Sequence, residues 1–204
     1  MKNQSKFILL SAALAVFTLP VVAQSTDASA NGQVTGQTIQ ERKDNQQDRI
    51  ANGVMTGQLT AAETSNLEKK ESELNHEEND MRKQDDGRLT SADKAALTQQ
   101  QNQLSKDIYQ DKHNSATQNT GKDPVDERAQ SQQERIAHGI KSGQLTAGEA
   151  AHLENNEAKI NNEVKNDRAA NGGKLTAQEK AQVNRQQNRE SHQIYNARHN
   201  GRVR

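Results

Sequence analysis

The chain repeats itself. Residues 46–114 and 132–200 align without a gap and are roughly 45% identical. Gln46-Gln47-Asp48-Arg49-Ile50-Ala51 returns as Gln132-Gln133-Glu134-Arg135-Ile136-Ala137. Gly57-Gln58-Leu59-Thr60 returns as Gly143-Gln144-Leu145-Thr146. Ile108-Tyr109 and His113-Asn114 return as Ile194-Tyr195 and His199-Asn200. A chain that carries one unit twice must fold that unit twice, so any fold has to be built from a module of this length. Positions kept in both copies are separated from positions that drifted, and most of what is kept reads as helix punctuation.

That punctuation has a second, shorter period of about 30 residues. Each half-unit opens on Gly-x-Leu-Thr-x-x-acid: Gly57 to Glu63, Gly87 to Asp93, Gly143 to Glu149 and Gly173 to Glu179. The Gly suits the left-handed backbone that closes a preceding helix. The Thr hydroxyl caps the next helix, and the acid three residues on reaches back to the Thr amide. The pairs Thr60/Glu63, Thr90/Asp93, Thr146/Glu149 and Thr176/Glu179 are therefore predicted helix caps, with the Leu before each Thr placed as a hydrophobic staple. Asp123-Pro124 reads as an N-cap followed by Pro at the first helical position.

The spacing predicts an all-α fold of two tandem three-helix units joined by a polar linker. The first unit covers 38–114, with helices near 39–56, 61–84 and 91–113. The linker covers 115–122. The second unit covers 123–200, with helices near 125–142, 148–170 and 177–199, and a tail runs from 201 to 204. Leu67, Leu74 and Met81 form a stripe on the second helix, and Leu97, Leu104 and Ile108 on the third. Such stripes are closer to a coiled-coil seam than to a full core face. A unit with so few large side chains is expected to be marginal by itself and to gain from packing of the two units or from dimerisation. The charged run Glu68, Lys69, Lys70, Glu71 and Glu73 reads as a solvated face.

The N-terminus reads as a secretory signal. Lys2 and Lys6 precede an apolar run from Phe7 to Val22, and Val21-Val22-Ala23 places small residues for cleavage after Ala23. Residues 1–23 are thus expected to be removed, leaving 24–37 as a disordered leader. The expected location is periplasmic or secreted, without stable membrane insertion after cleavage. The sequence has no Cys, so a lipoprotein anchor and disulfides are both excluded. Its 27 basic and 27 acidic residues balance, and Lys2 and Lys6 are lost with the signal. A net charge of about −2 supplies no field for nucleic acid.

No catalytic motif is present: there is no nucleophile elbow, phosphate loop or metal-protease signature. An enzyme is not expected. The most specific polar constellation is Ser-x-x-Ile-Tyr-x-x-Lys/Arg-His-Asn at the end of the third helix of each unit. It sets Ser105, Tyr109 and His113, and again Ser191, Tyr195 and His199, on one helix face. These six are the candidate binding residues, for an unknown protein partner or for self-association. The simpler account is structural: Tyr packs against the first helix, His complements the helix C-terminus, and Asn takes a left-handed cap.

The Gly-x-Leu-Thr-x-x-acid start also resembles the second half of an EF-hand loop, with Gly at position 6 and the acid at position 12. Asn52, Val54 and Thr56 in the first loop, or Arg168, Ala170 and Gly172 in the fourth, stand where calcium needs oxygen ligands. No cofactor is therefore expected. The alternative is a degenerate calcium site at Asp85, Asp86 and Asp93, or a soft-metal site using His113 and His199, or His138 and His152.

The signal, the capped helix starts and the small helical units resemble uncharacterised bacterial exported helical-repeat proteins over most of residues 38–200. That resemblance implies an interaction or envelope-stress role without catalysis. Leu59-Thr60, Leu89-Thr90, Leu145-Thr146 and Leu175-Thr176 are also similar to the Leu-Thr-x-x-Gln starts of Spy-type periplasmic chaperones, with Glu or Asp here in place of Gln. This second resemblance implies a periplasmic chaperone or protectant.

Overall fold

A computed structural model describes residues 37–118 and 121–202, and every described regular element is a helix. The signal segment and residues 24–36 of the leader lie outside the described residues. The first repeat holds α1 (Ile39–Met55), α2 (Ala61–Gln84) and α3 (Ser91–Lys112). The second holds α4 (Pro124–Ser142), α5 (Ala147–Ala170) and α6 (Ala177–Arg198). No helix end departs from the expected position by more than one residue.

The ends fall where the caps put them. Thr60, Thr90, Thr146 and Thr176 each accept from the backbone N–H three residues on, and the acid at that position returns the bond to the Thr amide. Thr38 and Glu41 form a fifth such box, at the start of α1. Asp123 caps α4 with Pro124 at its first position. Gly57, Gly87, Gly143 and Gly173 all have φ between 70° and 90°, the left-handed backbone that lets the chain leave one helix and enter the next cap.

The two repeats pack on each other. α2 lies against α5 more extensively than any other helix pair, and α1 against α4 comes next. α3 covers α1 and α2, and α6 covers α4 and α5. The pairing is pseudo-symmetric. Ser65 of α2 donates its hydroxyl to the Ala151 carbonyl of α5 at 2.9 Å, and Ala151 is the position that corresponds to Ser65 in the second repeat. Ala51 sits in the apolar cluster of the second repeat with Ile136, Ile140 and Leu145. Its counterpart Ala137 sits in that of the first with Ile50, Val54 and Leu59. Each repeat thus completes the other's core, which compensates for the shortage of large apolar side chains.

The close approach of α1 to its following loop depends on Gly53. A Cβ there would lie 2.6 Å from Leu59 Cδ1, and at Gly139 2.7 Å from Leu145 Cδ1. Both glycines also accept the amide of that leucine, Leu59 N to Gly53 O and Leu145 N to Gly139 O, each at 3.0 Å. The staple leucines are fully buried as a result.

Candidate interaction patches and the buried polar seam

The charged run on α2 is only partly a solvated face. Lys69, Lys70 and Glu73 are exposed, but Glu68 and Glu71 are buried. The physical reason is their register. Leu67, Glu68, Glu71 and Leu74 fall on one side of the helix, so the carboxylates flank the apolar stripe and enter the interface with it. Gln46, Gln47, Ile50, Ala51 and Val54 do the same on α1.

A duplicated hydrogen-bond network fills the flanks of these stripes. Gln46 Nε2 donates to Gln101 O at 2.6 Å and to Ser105 Oγ at 2.9 Å; Gln132 donates to Gln187 O at 2.8 Å and to Ser191 Oγ at 3.0 Å. Gln101 and Gln187 return amide bonds to Ile39 O and Val125 O. Arg49 and Arg135 bond the carbonyls of Ser105 and Ser191, each at 3.0 Å. Gln47 donates to both oxygens of Glu68, and Gln133 to Glu154 at 2.7 Å. Ser105 and Ser191 therefore tie the first helix of each repeat to the third. The signal for this network was present in the sequence as identity between the copies at polar positions.

The tyrosines are elsewhere. Tyr109 is 41% exposed and Tyr195 57% exposed, and they do not pack their rings into α1 or α4 as the structural account expected. Each stacks on the histidine one turn later, with ring centroids 4.1 Å apart for Tyr109–His113 and 4.2 Å for Tyr195–His199. The Nδ1 atoms of His113 and His199 lie 2.7 Å from the carbonyls of Tyr109 and Tyr195. A carbonyl only accepts, so Nδ1 carries the hydrogen. The histidines are also the C-caps of α3 and α6.

Asn114 and Asn200 are not left-handed caps; the positive-φ residue among the described non-glycines is Asp86. They reach back to the second helix of their own repeat instead, donating at 2.6 Å to Glu63 Oε1 and Glu149 Oε1. The other carboxylate oxygen of those acids serves its capping box. One acid thus joins the C-terminus of the third helix to the N-terminus of the second.

Of the candidate metal ligands, Asp85 and Asp93 meet side chain to side chain, without a third His, Asp or Glu gathered beside them among the described residues. Asp93 accepts from the Thr90 amide at 2.8 Å and hydroxyl at 2.7 Å. Those bonds hold its carboxyl below the usual range. Asp85 is the α2 C-cap, and His113 and His199 cap separate helices. Arg168, at the first position of the fourth loop, pairs with the α4 cap residue Asp123 and with Asp126. Among the described residues no three His, Asp or Glu side chains gather as metal ligands.

Two grooves flank the α2–α5 crossing as pseudo-symmetric mates. Thr146, Ala147 and Gly148 face Ser72, Asn75 and His76 in one of about 840 Å³. Thr60, Ala61 and Ala62 face Ala158, Asn161 and Asn162 in the other, of about 530 Å³. Linker residues Thr117 and Gln118 line the smaller groove, and Gln118 also bonds Gln133 and, through its amide, Gly57 O. His152 joins His76 in the larger one, while His138 lines neither.

Between the grooves lies the polar centre of the interface. Glu154 and Glu157 are 0% exposed and Glu190 is 3% exposed. Burial pushes Glu157 up to about 8, with repulsion from Glu190 adding and attraction from Arg135 opposing. Burial raises Glu190 to about 7 against a hydrogen bond from Asn156. Glu154 is raised well above the carboxylate range by burial, against the Gln133 bond, with Glu157, Glu68 and Glu190 all repelling it.

No protein-family model, curated protein or solved structure matches the chain. Among the described residues no helix is long and apolar enough to cross a membrane.

Proposed function

We propose that this is an exported, non-catalytic helical-repeat protein that works by binding another protein in the bacterial envelope, as part of an interaction or stress role there. The observation that carries this reading is the placement of Tyr109 and Tyr195. They are the chain's only tyrosines, they stand at equivalent repeat positions, and they are exposed while the large aliphatics of the same helices are buried. A Tyr ring held against an imidazole is a rigid amphipathic surface that loses little conformational entropy on binding. Two copies on the outer helices α3 and α6 give two contact points, so modest contacts would add through avidity. Location in the periplasm or outside the cell rests on the signal-like residues 1–23.

The test is photo-crosslinking in producing cells, with a photoreactive phenylalanine analogue at position 109 or 195 and, as control, at exposed Lys159 on α5. Discrete adducts of defined mass from 109 and 195, absent at 159, support the reading. Adducts no stronger than those from 159 would remove it.

A further inference from the structure

The buried carboxyls of the α2–α5 interface have no part in the Tyr–His patches. Glu154 and Glu157 come from α5, Glu190 from α6 and Glu68 from α2, and none is more than 3% exposed. Among the described residues no Lys or Arg forms an ion pair with Glu154, Glu157 or Glu190. Neither oxygen of Glu157 has a hydrogen-bond donor, and one oxygen each of Glu154 and Glu190 lacks one too.

The charged groups that act on the cluster come from each neighbouring helix. α2 brings Glu68 and α6 brings Glu190, both repulsive. α4 brings Arg135, whose guanidinium already donates to Ser191 O at 3.0 Å. α1 reaches it through Gln47, which donates to Glu68. Neutral donors complete the set: Gln133 to Glu154, and Asn156 to Glu190 at 3.1 Å.

Glu71 of the first repeat corresponds to Glu157 of the second, but Glu190 corresponds to Leu104, which is buried to the same degree. One copy has an apolar residue where the other has added a second carboxyl beside Glu157.

We propose that Glu154, Glu157 and Glu190, with Glu68 facing Glu154 across the interface, form a proton-dependent latch that keeps the two repeats closed in mildly acidic surroundings and loosens their contact as the medium turns alkaline. Glu154, Glu157 and Glu190 are buried like charges with no ion pair among the described residues and with Arg135 as the opposing charge on Glu157; they cannot all ionise, so the closed state keeps protons that the open state releases to water. The raised values of Glu157 and Glu190 agree. The folded state holds more protons than the unfolded one between about pH 4.5 and pH 8, so stability falls with rising pH across that window. Glu68 is in the first repeat and Glu154 in the second, so ionisation repels across the contact between repeats.

The test uses the purified chain and two readouts. The first is the Tm from pH 5 to pH 9 at constant ionic strength, for the wild type, Glu190→Leu and Glu157→Gln. The expected wild-type result is a Tm that falls by roughly 5–10 °C. Glu190→Leu, which restores the residue of the first repeat, should cut that fall by about half or more; Glu157→Gln, which keeps the shape, should do likewise. The second readout is the distance between spin labels on cysteines placed at exposed Lys69 of α2 and Lys159 of α5, in a chain that has no Cys of its own. A narrow distribution at pH 5 that lengthens or broadens at pH 9, and stays narrow in either variant, is expected. A wild-type Tm that is flat or rises with pH overturns the proposal. So does a pH-dependent Tm that neither variant reduces, or a label distance that ignores pH.

Discussion

The Gln46 side-chain amide donates to the Ser105 hydroxyl at 2.9 Å, and Gln132 makes the same bond to Ser191 at 3.0 Å. A glutamine amide, where most small bundles place an aliphatic, joins the first helix to the third in both repeats. Gln46 is 2% exposed and Gln132 1% exposed, so the glutamine ends of these bonds lie out of water. There the net worth of a bond is modest but the loss of one partner is costly.

Gln46→Ala removes two bonds and leaves the Gln101 carbonyl with one donor fewer. The expected loss is about 1–3 kcal/mol of unfolding free energy, with an equal loss for Gln132→Ala. Urea unfolding followed by circular dichroism measures both. A change below about 0.5 kcal/mol in either would show that the amide bridge is replaceable by solvent.

Gly53→Ala and Gly139→Ala should destabilise by about 1–3 kcal/mol, through overpacking against Leu59 and Leu145. Helix propensity alone predicts the opposite sign, since Ala in a helix interior is better than Gly by about 0.5–1 kcal/mol. The sign of the change in urea midpoint therefore separates close packing from backbone entropy.

The capping acids set an acid limit. Backbone hydrogen bonds from Thr38 and Thr176 hold Glu41 and Glu179 below the usual carboxylate range. A depressed folded value gives stability that is present above the unfolded value of 4.5 and lost as pH falls through the folded one. With the buried glutamates acting in the opposite sense, the urea midpoint should peak near about pH 5 and decline on both sides. Thr176→Ala should flatten part of the acid limb, and an acid limb identical to the wild type would assign that loss to other groups.

Replacing both tyrosines by alanine should leave the fold nearly untouched, because exposed substitutions cost little, here less than about 1 kcal/mol each. The same double variant should abolish partner adducts at a photoreactive residue placed beside each patch, at 110 or 196. Adducts that persist would move the contact surface away from α3 and α6.

Helix identity and limits were legible in the sequence because they depend on local chemistry. Thr60, Glu63 and Gly57 settle a helix start and a helix stop within a few residues of themselves. The fate of Glu68, Glu71, Glu154 and Glu157 was not legible from local pattern. A Glu beside Leu67 looks the same whether the flank of the stripe meets water or a second repeat. Only its presence in both copies marked it, as it marked Gln46, Gln47 and Gln101. Tyr109 misled for a related reason: an aromatic at helical spacing normally seeks a core, and here the core positions were already filled by Ile50, Leu104 and Ile108. The patch geometry depends on His113 stacking outside the bundle, which no spacing rule encodes.

α2 and α5 join the repeats into one cooperative body, and the tyrosines supply a reporter in each. Tyr195→Phe leaves Tyr109 as the single tyrosine, in the first repeat, and Tyr109→Phe leaves Tyr195, in the second. Urea unfolding read by tyrosine fluorescence in these two variants at pH 5 should give the same midpoint and slope, each coincident with the loss of helix by circular dichroism. Two separated transitions, one per reporter, would contradict it and make the repeats independent domains.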